Sequence, residues 1–133
     1  MELYIIRHGQ TTDNIKKLMQ GHRPGKLTDL GITQAKMTGK RLRKINFDAI
    51  YCSDLFRTKE TLDAIMSGFK SKDDIPIEYT SSIREKGGGI LEGLPLDVFK
   101  ENAQKSNLGV RKYKPEGGES WEDVHSRASN FID

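Results

Sequence analysis

The chain is short of cysteine, histidine, aromatic side chains and long apolar runs. Its one cysteine, Cys52, excludes a disulfide framework within the chain. That favours a reducing, intracellular setting, the cytoplasm. No stretch reaches the roughly 18 apolar residues that a membrane-spanning helix needs, so no membrane partner is expected. The apolar run at the N-terminus is broken by Arg7, too early for a secretory signal. The three histidines, His8, His22 and His125, show none of the short spacings of a zinc site, so no metal is expected. The glycines of KGGGILEG lack the Gly-Lys-Ser/Thr ending of a nucleotide-binding loop. A formal net charge of +3 is too weak to select nucleic acid over a small phosphate. Lys36, Lys40, Arg43 and Lys44 fall near one helical face beside Arg41, but no aromatic residues interleave with them. They read as a solvated face, and no specific nucleic acid is expected.

What is present fits one domain, residues 1–133, with 35% hydrophobic and 31% charged residues. Leu3–Ile6 reads as a buried parallel strand. Ile32, Ala35, Gly39 and Leu42 recur at helical spacing, with Thr28 as N-cap. FDAIYCS is a second strand, running into a helix over DLFRTKETLDAIM that Ser53 or Asp54 would cap. Leu55, Thr58, Leu62 and Ile65 form its inner face. SGFKSKDD is a loop, and IPIEY a short edge strand, because Pro76 is tolerated only at an edge. LPLDVFKENAQK is a helix with Pro95 near its first turn. SWEDVHSRASNFID is a helix with a Ser120–Asp123 capping box and a buried stripe of Trp121, Val124, Ala128 and Phe131. Strands alternating with helices predict an α/β fold with a mostly parallel sheet.

In such a sheet ligands bind beyond the C-terminal strand ends. RHG follows the first strand and SDLFR the second. Arg7 and Arg57 could converge on one anion, since guanidinium forks match phosphate oxygens. An arginine in a helix's first turn runs against the helix dipole, which raises the case for a ligand. His8 could attack phosphorus, and Gly9 would let the backbone pass close by. A histidine beside an arginine is more often a structural, hydrogen-bonded group than a nucleophile. Protonating the leaving oxygen needs a carboxylic acid; Glu85, Glu92, Glu116 and Glu119 all border glycine-rich loops, and composition does not choose among them.

RHGQTTDN resembles the signature of the histidine phosphatase superfamily, with its phosphoglycerate-mutase-like fold. QGHRPGKLTDLGITQA, YCSDLFRTKET, SIREKGGGILEG and PEGGESWEDVHSR resemble further segments of that family, in family order. The resemblance implies a three-layer α/β/α domain and metal-independent, cofactor-free chemistry. It implies His8 as the phosphorylated nucleophile, Arg7 and Arg57 as the phosphate clamp, Asn14 as a further phosphate ligand, and Glu85 as the general acid. Gln20 and Gly21 match a loop near the substrate. Ser120 could touch it as well as cap its helix. Lys86, Arg111, Lys112 and Lys114 could meet further substrate phosphates, although solvated surface is the plainer role for each.

The loop EKGGGILEG is small and flexible where mutases of the family carry tyrosine and bulk. KYKPEGGESWEDV is similar to the fructose-2,6-bisphosphatase branch, which includes glycolysis-regulating phosphatases. The implied activity is hydrolysis of small phosphomonoesters, chiefly phosphorylated sugars. A mutase-type phosphotransferase and an impaired phosphate-binding or scaffold protein of the same fold are the alternatives. The partner is a small phosphorylated substrate, with inorganic phosphate or sulfate able to take its place. The family's second histidine, on a later strand beside the first, has no match here, for neither His22 nor His125 stands in that position. The expectation is therefore a C-terminally partial domain with unpaired backbone at Leu3–Ile6, or a homo-oligomer that fills the gap.

Overall fold

The computed structural model describes residues 1–70 and 74–132. Residues 71–73 of the expected 67–74 loop, and Asp133 at the end of the expected last helix, lie outside the described residues. In chain order the elements are α1 (Thr12–Ile15), α2 (Asp29–Leu42), β1 (Ile50–Ser53), α3 (Phe56–Met66), β2 (Ile77–Thr80), a 3₁₀ turn (Gly89–Leu91), α4 (Leu96–Lys105), α5 (Gly109–Lys112) and α6 (Trp121–Ile132).

The centre is a βαβ unit. β1 and β2 pair in parallel, Ile50 opposite Ile77 and Ser53 opposite Thr80, and α3 makes the crossover that parallel strands require. Pro76 sits just before β2 and offers only its carbonyl, which accepts the Ile50 N–H at 2.9 Å. β1 alternates as a strand must. Cys52 faces a core of Ala35, Leu62, Ile65 and Met66 from α2 and α3. Tyr51 faces the other way and meets the Phe131 ring of α6 edge-on at 5.2 Å. Helices therefore lie on both faces of the sheet, the three layers expected from the sequence.

Small residues let α2 approach closely. Gly31, Ala35 and Gly39 are its buried positions, and a Cβ on Gly39 would lie 2.3 Å from the Ile65 carbonyl oxygen. Thr28 caps α2 by accepting the Gly31 N–H at 3.0 Å. The Ser120–Asp123 box starts α6: the Ser120 N–H donates to Asp123 at 2.9 Å, and the Asp123 N–H to Ser120 Oγ at 3.1 Å.

Three expectations are corrected. Leu3–Ile6 is not a buried strand; its backbone makes no hydrogen bond among the described residues, as the expectation of unpaired backbone there required. Leu3 and Ile5 are 67% and 87% exposed. An apolar run becomes a strand only beside an edge that pairs with it, and here the segment is tethered through Tyr4, whose ring meets Phe47 at 5.4 Å. Second, neither Ser53 nor Asp54 caps α3. The N-cap is Leu55, because both oxygens of Asp54 are taken by the Arg84 guanidinium. Third, the Trp121, Val124, Ala128 and Phe131 stripe is not buried, and Trp121 is 46% exposed. α5 and, through Phe131, the Tyr51 face of β1 stand against the helix.

Candidate active site

His8 sits where the N-terminal segment meets the helices. The Gly9 N–H donates to Thr61 Oγ1 at 3.1 Å, and a Cβ on Gly9 would lie 2.3 Å from the Gly31 carbonyl oxygen. Only glycine allows this approach, and it fixes the backbone beside the imidazole. The next residue is held by α2, the Gln10 N–H donating to Gln34 at 3.0 Å and the Gln10 carbonyl accepting from the Thr28 N–H at 2.9 Å. His8 Nδ1 lies 2.8 Å from the Gly9 carbonyl. A carbonyl only accepts, so Nδ1 carries the hydrogen and Nε2 keeps a lone pair. Burial pushes the His8 pKa down. The Gly9 hydrogen bond opposes this, Arg57 and Arg7 reinforce it, and Glu85 pulls the other way. The result favours a neutral, nucleophilic ring near pH 7.

Arg57, in the first turn of α3, is 1% exposed. Its two Nη atoms donate to the Arg23 carbonyl at 2.8 Å and the Gly21 carbonyl at 2.9 Å. Its Nε is buried with no partner. Among the described residues no carboxylate comes within ion-pair distance of it. A buried charge ordinarily has a counter-ion, and this one has neutral carbonyls on one side and an unfilled donor on the other. Gly21 supports it in a left-handed conformation, φ +50°, with Glu92 so close that a Cβ would lie 2.1 Å from its Oε1.

Asn14 closes the capping box of α1, its Oδ1 accepting the Thr11 N–H at 2.9 Å. Its Nδ2 makes no hydrogen bond among the described residues and remains available as a donor. Gln20 accepts from the fully buried Thr11 hydroxyl at 2.6 Å. Arg7 is exposed, and its charge is felt at His8.

The structure separates the four glutamates. Glu92 accepts the His22 N–H at 2.8 Å and the Gly88 N–H at 2.9 Å. Glu119 is held by Arg127 and the Gly87 N–H. Glu116 is exposed. Glu85, whose side chain accepts only the Lys86 N–H at 2.8 Å, is the carboxylate whose charge acts on both His8 and Arg57.

One further expectation changes here, and the KGGG loop is closely packed. Gly87 and Gly88 are buried, a Cβ on Gly88 would lie 2.8 Å from Glu92 Cγ, and Gly89 has φ +55° with a Cβ position 2.0 Å from the Glu116 carbonyl oxygen. A Cβ at Gly88 or Gly89 would need its neighbours to shift. Lys86 is not solvated surface. It is 3% exposed, with Nζ lacking a hydrogen-bond partner and lying 4.4 Å from the Phe99 ring centre. Burial pushes its pKa down, against Glu119, Glu85 and Asp123. Arg111, Lys112 and Lys114 are exposed, Lys114 pairing with Asp123 at 2.9 Å. Ser120 is buried in its capping role. Sequence reasoning missed Arg127 altogether, since an arginine in mid-helix carries no signal of which loop it will reach.

A model of the histidine phosphatase superfamily, branch 1, matches residues 3–133. The chain is 39% identical over 132 residues to the fructose-2,6-bisphosphatase TIGAR of Xenopus tropicalis, covering 98% of this chain and 48% of that one. It is 34% identical over 136 residues to a broad-specificity phosphatase of Saccharomyces cerevisiae, covering 100% of this chain and 57% of the other. Among solved structures, Bacillus stearothermophilus YhfR superposes with a TM-score of 0.80 at 32% identity, covering 95% of this chain and 62% of that one. A mycobacterial glucosyl-3-phosphoglycerate phosphatase with inorganic phosphate superposes with a TM-score of 0.73 at 29% identity, covering 94% and 57%. The chain thus spans about half the length of the curated relatives it matches. No helix among the described residues is long and apolar enough to cross a membrane. The match of the family model over residues 3–133 makes this chain a member of the histidine phosphatase superfamily, branch 1.

Proposed function

We propose that the chain carries a phosphatase site for small phosphomonoesters, phosphorylated sugars in particular, working through a phosphohistidine. The observation that carries this reading is Arg57: a buried guanidinium with no carboxylate partner among the described residues and an unfilled Nε, close enough to bias the ionisation of His8. Such a group is completed by an anion. A phosphoryl group held by Arg57, Arg7 and Asn14 presents phosphorus to His8 Nε2. The N–P bond forms as the P–O bond to the alcohol breaks. The electron pair of that bond goes to the leaving oxygen, which takes a proton from Glu85. Glu85, now a carboxylate, takes a proton from water, and the water oxygen displaces His8 to release phosphate. The arginines stabilise the charge on the equatorial oxygens throughout. Gln20, Gly21 and Ser120 border the leaving group, and Lys86, beside Glu85, is placed to meet a second anionic group there. The free thiol of Cys52 fits a cytoplasmic setting.

A second reading, phosphate binding with little turnover, is favoured by one observation. His22 donates Nε2–H to the Glu85 carbonyl and His125 is exposed on α6, so neither reinforces the clamp. Incubation with a small phosphodonor separates the two. The phosphatase reading expects acid-labile, alkali-stable phosphate on His8, absent in His8→Ala, together with release of inorganic phosphate. Saturable phosphate binding with no label and no release rejects it in favour of the second.

A further inference from the structure

The segment carrying Glu85 is gripped by side chains that do not belong to the phosphate clamp. Arg127, on α6, donates from Nε and Nη2 to the two oxygens of Glu119, at 2.8 and 3.1 Å. Its Nη1 donates to the Ser82 carbonyl at 2.8 Å, and Nη2 also to the Glu85 carbonyl at 3.1 Å. Glu119 accepts the Gly87 N–H at 2.7 Å. His22 Nε2–H donates to the same Glu85 carbonyl at 2.9 Å. The backbone before, at and after Glu85 is thus held at three points, from α6 and from the 20–23 loop. That loop also supplies the Gly21 and Arg23 carbonyls that hold Arg57.

We infer that Arg127 is a positioning residue for Glu85, acting with Glu119 and His22 to hold the proton donor against the leaving oxygen. The inference rests on the phosphatase reading, in which Glu85 is the acid. The Glu85 side chain is exposed and accepts one hydrogen bond, from its neighbour's N–H. Its location is therefore set by its backbone, and the backbone by Arg127. An arginine serving only to dock α6 would be satisfied by Glu119 on its own helix's N-terminal side. The two bonds to the Ser82 and Glu85 carbonyls place its remaining donors on the acid's own segment.

Displacing Glu85 matters only when the departing oxygen needs a proton. The test compares kcat/KM, which reports the step in which the P–O bond breaks, for glycerol 3-phosphate and for 4-nitrophenyl phosphate, whose phenolate leaves unprotonated. In Arg127→Gln the alkyl ester should lose about 10²-fold, the usual cost of a misplaced catalytic group, and the aryl ester less than about tenfold. Arg127→Lys should recover part of the alkyl loss. Combining Arg127→Gln with Glu85→Gln should add nothing to the alkyl loss of Glu85→Gln alone. If Arg127→Gln does not fold, Glu119→Gln, which breaks the fork and keeps an oxygen for Gly87, takes its place with the same expectation. Equal losses on both esters overturn the inference and leave the phosphatase reading standing, because a lowered folded fraction acts on both alike. A wild-type chain that neither labels at His8 nor releases phosphate overturns both.

Discussion

Arg57→Met tests the central feature of the site, because two accounts of Arg57 give opposite results. The substitution removes hydrogen bonds to the Gly21 and Arg23 carbonyls, each worth about 1.5–3 kcal/mol to a charged donor. It also removes a 1%-exposed cation with no ion-pair partner among the described residues, whose desolvation costs several kcal/mol. The two nearly cancel, so in phosphate-free buffer the variant should unfold in urea within about 2 kcal/mol of wild type. The difference appears when phosphate is added. A ligand at 100 times its Kd stabilises the native state by about 2.7 kcal/mol, on the order of 10 °C in Tm for a chain of this size. Wild type should show that rise with inorganic phosphate. In Arg57→Met affinity should drop by roughly 30-fold or more, the ordinary cost of truncating one partner of a buried charged pair, and the rise should shrink to about a third or less over the same range. The assay is thermal and urea unfolding of both proteins across a phosphate series, at constant ionic strength. If the variant loses 4 kcal/mol or more without phosphate, on the scale of about 3–5 kcal/mol for breaking a buried pair, and both proteins respond to phosphate alike, Arg57 is a structural strut and the clamp reading is wrong.

Other outcomes follow from the same geometry. The His8 Cε1–H should titrate by NMR below the ordinary histidine midpoint, since burial disfavours the imidazolium. The stability tied to that shift is present above the unfolded-state pKa and is lost as pH falls through the folded one; a midpoint at or above the ordinary value would contradict it. Glu119 is held below the usual glutamate range, chiefly by Arg127 and then by the Gly87 N–H. Its contribution is present above the unfolded pKa and lost as pH falls through the folded value, so Glu119→Gln should flatten the acid side of a stability–pH curve and leave it unchanged near neutrality apart from an offset. Gly89→Ala should cost about 3 kcal/mol or more in urea unfolding, since the left-handed backbone alone costs about 1–2 kcal/mol and the new Cβ meets backbone of residue 116. Lys86→Met should leave stability unchanged or raise it, because it removes an unpaired buried ammonium. It should also lower the preference for sugar bisphosphates over monophosphates in competitive kinetics; unaltered preference would return Lys86 to a packing role against Phe99.

Much of the frame was legible because it depends on neighbours in sequence. Thr28 and Ser120 cap helices through contacts three residues away, and the spacing of Leu55, Leu62 and Ile65 specifies the buried face of α3. The anomaly of an arginine in a helix's first turn singled out Arg57, which is buried with its Nε unpartnered. What was not legible depends on distant partners. Asp54 has every local qualification as an N-cap, yet Arg84, thirty residues on, takes both its oxygens. Leu3–Ile6 has the composition of a buried strand; the missing partner strand is foreseen from the family resemblance, but the composition gives no sign that the segment lies exposed. The glycines of residues 87–89 look like freedom in one dimension and are closely packed in three, because Glu92, His22 and Glu116 converge on them.

The carbonyl cradle beneath Arg57 has a consequence for turnover. Neutral oxygens hold the guanidinium in place without discharging it, so the empty site keeps a standing demand for an anion. Inorganic phosphate would satisfy that demand as well as an ester. On the phosphatase reading, ambient phosphate would then compete with the ester for the free site, and turnover would fall as the phosphate level around it rises.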